Sequence, residues 1–199
     1  MTTKQFLPLP YGQDDFDNLK ADGCYFVDKT SSLKDVIDTD KSYVMLFTRP
    51  RRFGKSLFMT MTESFLKINS DNPGDTTLQQ KSFKGTKILD DREFCANYMG
   101  QHPAICITLK GVHGVDFEDA YYKLAEVVSA KADEYSFLKD SPSLDEKEKA
   151  KFEKLCDEDY LKSFDKKTQS YVTSAIISLA RMLYKHFKKQ VYVLIDEYD

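Results

Sequence analysis

The sequence predicts an α/β fold built around a mainly parallel sheet. Three observations carry that expectation. An apolar run at 43–47, Tyr-Val-Met-Leu-Phe, leads through a short basic loop into a helical stretch at 57–66. A second run, Val191-Tyr192-Val193-Leu194-Ile195, stands just before Asp196 and Glu197. Between them, Phe117, Tyr121, Leu124, Val128 and Ala132 follow the spacing of a helix packed on a sheet. Continuous apolar runs are what strands covered on both faces look like, and parallel sheets with helices on both sides produce them.

Residues 1–12 read as an extended lead-in, because Pro8 and Pro10 exclude a regular element. A short helix is expected over 14–21, closed by Asp22-Gly23. Residues 24–27 read as a short strand or extended piece, and Thr30 or Ser31 as the cap of a helix over 32–38.

The loop after the first apolar run is Arg49-Pro50-Arg51-Arg52-Phe53-Gly54-Lys55-Ser56. Strand, Gly-Lys-Ser loop and helix form the setting of a phosphate-binding P-loop. A helix start presents unpaired N–H groups and about half a positive charge, which together attract anions. Gly54 lets backbone approach a phosphate, Lys55 would reach the β- and γ-phosphates, and the Ser56 hydroxyl would ligate Mg²⁺. The expected phosphate cradle is Pro50, Arg51, Arg52, Phe53, Gly54, Lys55, Ser56 and Leu57. Arg49 stands where the usual G-x-x-x-x-G-K-[ST] pattern has its first glycine. Taken alone, the stretch also suits a basic loop that caps a helix.

Residues 69–82 read as polar connection with a turn at Asn72-Pro73-Gly74-Asp75, and 83–89 as a short strand or hairpin arm. A second buried strand is expected at 104–109, bounded by Gly111 and Gly114. Asp116 then caps the amphipathic helix, and Ser141-Pro142 breaks the chain. Ser143 and Glu146 have the spacing of a capping box opening a charged, solvated helix. Asp157-Glu158-Asp159 reads as a charged helix end rather than a metal site. A last helix is expected over 168–187, its core face Val172, Ile176, Leu179, Leu183 and Phe187.

The run at 191–195 followed by Asp-Glu has the form of a Walker B strand. Its carboxyl end is where an open α/β sheet places ligands. Asp196 would hold Mg²⁺ and Glu197 would polarise the attacking water. The plainer alternative is a buried strand ending in a solvated acidic turn. The two motifs reinforce each other, and together they point to a P-loop NTPase three-layer sandwich that binds ATP with Mg²⁺.

The motifs Leu9-Pro10-Tyr11-Gly12, Phe26-Val27-Asp28-Lys29-Thr30, Arg49 to Ser56, and Ile195-Asp196-Glu197-Tyr198-Asp199 give the chain a close resemblance to the bacterial and archaeal AAA-ATPase-like family. Phe26 stands where that family has tyrosine. The resemblance implies that arginine at position 49 is normal and that the 24–38 region lies beside the nucleotide. It also implies a restriction-endonuclease-like domain after the ATPase in many members, and so a possible nucleic-acid partner. One domain is expected over 1–199, a leader over 1–40 and a P-loop core over 41–199, truncated after Walker B. The resemblance further implies that a later strand inserts between the P-loop and Walker B strands. Residues 43–48 and 191–195 should then share no ladder, and 104–109 should pair with 191–195. The functional alternative is a nucleotide-dependent switch or nucleic-acid-linked module with little hydrolysis.

Composition fits a folded, water-exposed chain. Hydrophobic residues make up 41% and charged residues 31% of 199 positions, with a net charge of −3, so no overall field draws it to nucleic acid or anionic membrane. The four cysteines, Cys24, Cys95, Cys106 and Cys156, show no C-x-x-C spacing, which argues for reduced thiols in a cytoplasm and against zinc. His102, His113 and His186 share no metal-ligand spacing. No signal-peptide core and no apolar run of membrane-spanning length are present, so no membrane partner is expected.

Overall fold

Several helices begin where an aspartate caps them. In the computed structural model, which describes residues 7–38 and 44–198, α1 (Phe16–Ala21) opens on Asp15, whose carboxylate accepts from the Asn18 N–H at 2.7 Å. It closes on Asp22, followed by Gly23 at φ 64°. Residues 24–27 carry no strand; Tyr25 donates one backbone bond to Pro8, at 2.8 Å. A 3-10 turn, Thr30–Ser32, runs directly into α2 (Leu33–Ile37). Neither Thr30 nor Ser31 acts as the cap. Asp28, just before the 3-10 turn, accepts from the Thr30 N–H at 2.9 Å and its hydroxyl at 2.7 Å.

The apolar run before the loop is not a strand in the described residues. Positions 44–48 are irregular, and Val44 is 84% and Leu46 63% exposed; Tyr43 lies outside the described residues. A strand exists only when a neighbour takes its backbone groups, so apolar composition alone does not make one. α3 (Lys55–Leu66) follows the loop, then α4 (Thr77–Ser82), a 3-10 segment Lys87–Asp90, and α5 (Arg92–Tyr98). α4 and the 3-10 segment replace the polar connection and the strand expected between 69 and 89. At 87–88 the N–H groups a ladder would need go to side chains. Asp28 accepts from Lys87 at 2.8 Å and Thr30 from Ile88 at 3.1 Å. Phe16, Phe65, Phe83 and Phe94 form the core of this part, with Phe65–Phe83 and Phe65–Phe94 ring centroids 5.3 and 5.6 Å apart. The chain divides after His102 into two compact units.

The second unit opens with β1 (Ala104–Thr108) and closes with β2 (Tyr192–Asp196), paired parallel from Ala104↔Tyr192 to Thr108↔Asp196. This is the pairing expected for 104–109 with 191–195. The chain is thus a mixed helix and strand fold with a two-stranded parallel sheet among its described residues. Between the strands lie α6 (Phe117–Asp133), a 3-10 segment Ser136–Asp140, α7 (Glu146–Cys156), α8 (Glu158–Leu161), α9 (Lys166–Thr173) and α10 (Ala175–Phe187). Asp116 caps α6, accepting from Asp119 at 2.9 Å. Tyr121, Val128, Leu138, Phe152, Leu155, Leu179 and Leu183 form the unit's core with Ile105 and Ile107.

Several details differ from expectation. The capping box opening α7 is Asp145 with Glu148, two positions after the expected Ser143 and Glu146. α7 is not solvated all round, because Phe152 and Leu155 are fully buried. Asp157 is the cap of α8, accepting from Tyr160 at 2.9 Å. The expected helix over 168–187 breaks at Ser174, whose hydroxyl donates back to the Ser170 carbonyl at 2.8 Å beside a matching Thr173 to Gln169 bond. Such back-bonding loosens a turn. β2 is not covered on both faces: Val193 is 40% and Ile195 44% exposed. Aligned residues of parallel strands share a face, so the Ile105 and Ile107 side is covered at β1 and open at β2.

Candidate functional site

The loop residues converge on the start of α3. Arg51 and Arg52 make a turn, Arg52 sits at φ 66°, and Gly54 at φ 77° and ψ 29° forms the N-cap. A Cβ at Gly54 would meet no protein atom within 4 Å, and its left-handed backbone is one that glycine adopts without strain. α3 differs from the helices that open on aspartate. Asp15, Asp91, Asp116, Asp145, Asp157 and Asp165 each accept from the helix they begin, whereas no side chain caps α3 and no acidic residue occupies its first turn. Its N-terminal dipole therefore faces outward without an internal anion. Lys55 folds across the loop and donates its Nζ to the Arg49 carbonyl at 2.9 Å.

Pro50, Arg51, Arg52, Phe53 and Gly54 are exposed, while Lys55, Ser56 and Leu57 are half-buried. The helix behind them is firmly anchored. Met61, Phe65 and Leu66 are buried, the Thr60 hydroxyl donates to the Asp14 carbonyl at 2.9 Å, and the Ser64 hydroxyl donates to Asp17 at 2.8 Å. The cradle therefore stands on a rigid support.

The acidic pair occupies the carboxyl end of β2. The Asp196 carbonyl accepts from Leu109 at 3.0 Å, and its carboxylate accepts from the Glu197 N–H at 3.1 Å. Asp196 is half-buried. Glu197 is exposed and holds φ 51°, a left-handed conformation that costs a non-glycine residue about 1–2 kcal/mol. The structure thus gathers 50–57 at one helix start and 196–197 at one strand end, each within its own unit.

One group of polar residues was missed as a device in the sequence. Asp28 and Thr30 clamp the 3-10 turn before α2 to the 87–88 backbone through the bonds given above. Burial raises the Asp28 carboxyl pKa, but the Thr30 side-chain and backbone bonds and the Lys87 bond outweigh it. The carboxyl therefore sits below its ordinary value. The Asp-x-Thr spacing was the available signal, since such residues bond backbone two positions on. What the motif does in the structure is hold segments together.

The remaining reactive side chains have structural surroundings. None of the four cysteines is joined in a disulfide, and burial, with a bond to Asp133, pushes the Cys156 thiol up to about 12. His186 Nδ1 lies 2.8 Å from the Ser141 hydroxyl, and burial lowers its pKa. Among the described residues no cluster of three or more His, Cys, Asp or Glu is arranged to hold a metal, and no helix is long and apolar enough to cross a membrane.

An uncharacterised protein from the vnfD 5′ region of Azotobacter chroococcum mcd 1 is 32% identical over 123 residues, covering 61% of this chain and 20% of that protein. The chain spans about one fifth of the length of that curated relative. No solved structure matches the chain. The family described as "Predicted AAA-ATPase" matches residues 10–199. That match takes in both the Gly54-Lys55-Ser56 helix start and the Asp196-Glu197 strand end, and the chain belongs to the AAA-ATPase-like family.

Proposed function

We propose that the chain binds ATP with Mg²⁺ and hydrolyses it, within a P-loop NTPase three-layer sandwich whose leader is 1–40 and whose core is 41–199. The observation that carries this reading is the start of α3. It is uncapped, free of acidic neighbours in its first turn, opened by left-handed Gly54 and guarded by Lys55. A triphosphate suits that donor set: the backbone of 50–57 surrounds it, and Lys55 leaves the Arg49 carbonyl to neutralise the β- and γ-oxygens. Ser56 and Asp196 are the residues that would hold Mg²⁺, each with the hard oxygen that ion prefers. Bound Mg²⁺ would offset charge building on the transferred phosphoryl group. Glu197 accepts a proton from the attacking water. Its backbone conformation, held at a cost, is the kind of strain that gathers at functional positions.

The test is calorimetry of MgATP binding to the wild type and to Lys55→Ala. A charge-assisted contact contributes about 1.5–3 kcal/mol, so the variant should bind on the order of ten- to a hundred-fold more weakly. Equal affinities would refute the assignment of the loop.

A further inference from the structure

The loop holds more positive charge than a bound nucleotide calls for. Lys55 and the start of α3 already answer a triphosphate. Arg49, Arg51 and Arg52 add three guanidiniums within four positions, all on exposed residues. None of the three enters an ion pair among the described residues. Elsewhere several lysines are matched: Lys34 with Asp91, Lys131 with Glu134, Lys162 with Glu126 and Glu158, and Lys185 with Glu148. In a chain with a net charge of −3, an unmatched basic cluster of this density is local and specific. Mutual repulsion of the three charges raises the free energy of the loop, and a polyanion with regularly spaced charges relieves it.

Phe53 sits among these arginines and is 64% exposed. Phe47, 48% exposed, packs on Phe58 with ring centroids 5.5 Å apart. Exposed aromatic rings beside arginines form the pattern that single strands use, with bases stacked on rings and phosphates on guanidiniums. A duplex hides its base faces, and an acidic peptide has none. We infer that the Arg49–Phe53 loop is a docking surface for single-stranded nucleic acid, with three phosphates on Arg49, Arg51 and Arg52 and a base on Phe53. This surface goes beyond nucleotide binding, although the surplus of charge it is argued from rests on that reading.

Fluorescence anisotropy of a labelled oligothymidylate of about fifteen nucleotides, titrated with the full chain across a salt series, tests it. Three phosphate contacts on a single strand give a slope of log K against log salt of about −2, so affinity should fall roughly 20-fold between about 50 and 200 mM salt. Replacing all three arginines by glutamine should flatten that slope towards zero. Phe53→Ala should weaken binding roughly 5- to 100-fold and leave the slope unchanged. Far-UV circular dichroism checks that these surface variants stay folded. Four results would each overturn the inference: no binding at the lowest salt; a slope that survives loss of the arginines; a duplex of equal length bound as tightly; or a glutamate-rich peptide of equal charge competing as well, which assigns the loop to a protein partner. Saturating MgATP should leave the oligonucleotide bound. Complete displacement would return the arginines to the nucleotide and also overturn the inference. Calorimetry of MgATP on the same wild-type protein reads the ATPase assignment separately.

Discussion

Asp28 makes a strong single test of how this fold is held. One oxygen takes the N–H and hydroxyl of Thr30, and the other takes the Lys87 N–H at 2.8 Å. Thr30 is fully buried, and its hydroxyl accepts in turn from Ile88. Hydrogen bonds to a charged acceptor contribute about 1.5–3 kcal/mol each where buried. Asp28 itself is only half-buried, and water replaces part of what Asp28→Ala removes. The expected loss is therefore about 2–4 kcal/mol, below the full sum for three such bonds. Urea titration should show a lower midpoint at an unchanged slope. Amide exchange at Lys87 and Ile88 should accelerate more than exchange in α6 or α10. The depressed carboxyl fixes the sign of the pH dependence. Its stabilising contribution is fully present above the unfolded value of about 3.9 and disappears as pH falls through the lower folded value. Asp28→Ala should therefore be less sensitive to pH than the wild type below about pH 4. A loss under about 0.5 kcal/mol, with exchange at 87 and 88 unaltered, would refute the clamp.

Two other outcomes concern Glu197 and Cys156. Glu197→Gln keeps the side-chain shape but cannot take a proton, so turnover should drop by about a hundred-fold or more while MgATP binding persists. Normal turnover would send the search for a base elsewhere. Cys156, with its thiol pushed up to about 12, should resist a disulfide reagent at about pH 8 in the folded protein and react once urea unfolds it. Rapid labelling of the native chain at that position would contradict its half-buried setting beside Asp133.

The helix start behind the loop was legible because its signals are local. Gly54-Lys55-Ser56 predicts a helix start, and α3 begins at Lys55. Asp116 as a cap, the turn at 72–75 and the Asp22-Gly23 stop rest on bonds between near neighbours. The β1–β2 pairing was legible through the resemblance rather than through composition. The failures lie where distant partners decide. The apolar run at 44–47 has strand composition but no strand, while 87–90 is shaped by Asp28 and Thr30 from far along the chain. The capping box fell two positions late because Ser143/Glu146 and Asp145/Glu148 both match the spacing, and spacing does not choose between them. The break at Ser174 interrupts an unbroken apolar period, so periodicity could not show it.

The register Ala104↔Tyr192 has a consequence for how the second unit is assembled. The two strands cannot meet until everything from α6 to α10 has been threaded between them. Those helices pack on one another over much shorter stretches of chain. Closing so long a loop costs chain entropy before a single ladder bond returns it. The helical cluster therefore forms first and brings the strand ends to within reach, and the sheet is the last part to close. A substitution in the helical core, such as Phe152→Ala, should slow refolding. One in β2, such as Leu194→Ala, should chiefly quicken unfolding. Stopped-flow refolding that is slowed equally by both would place the sheet in the nucleus instead. The strand that carries Asp196 and Glu197 is thus completed at the end of folding.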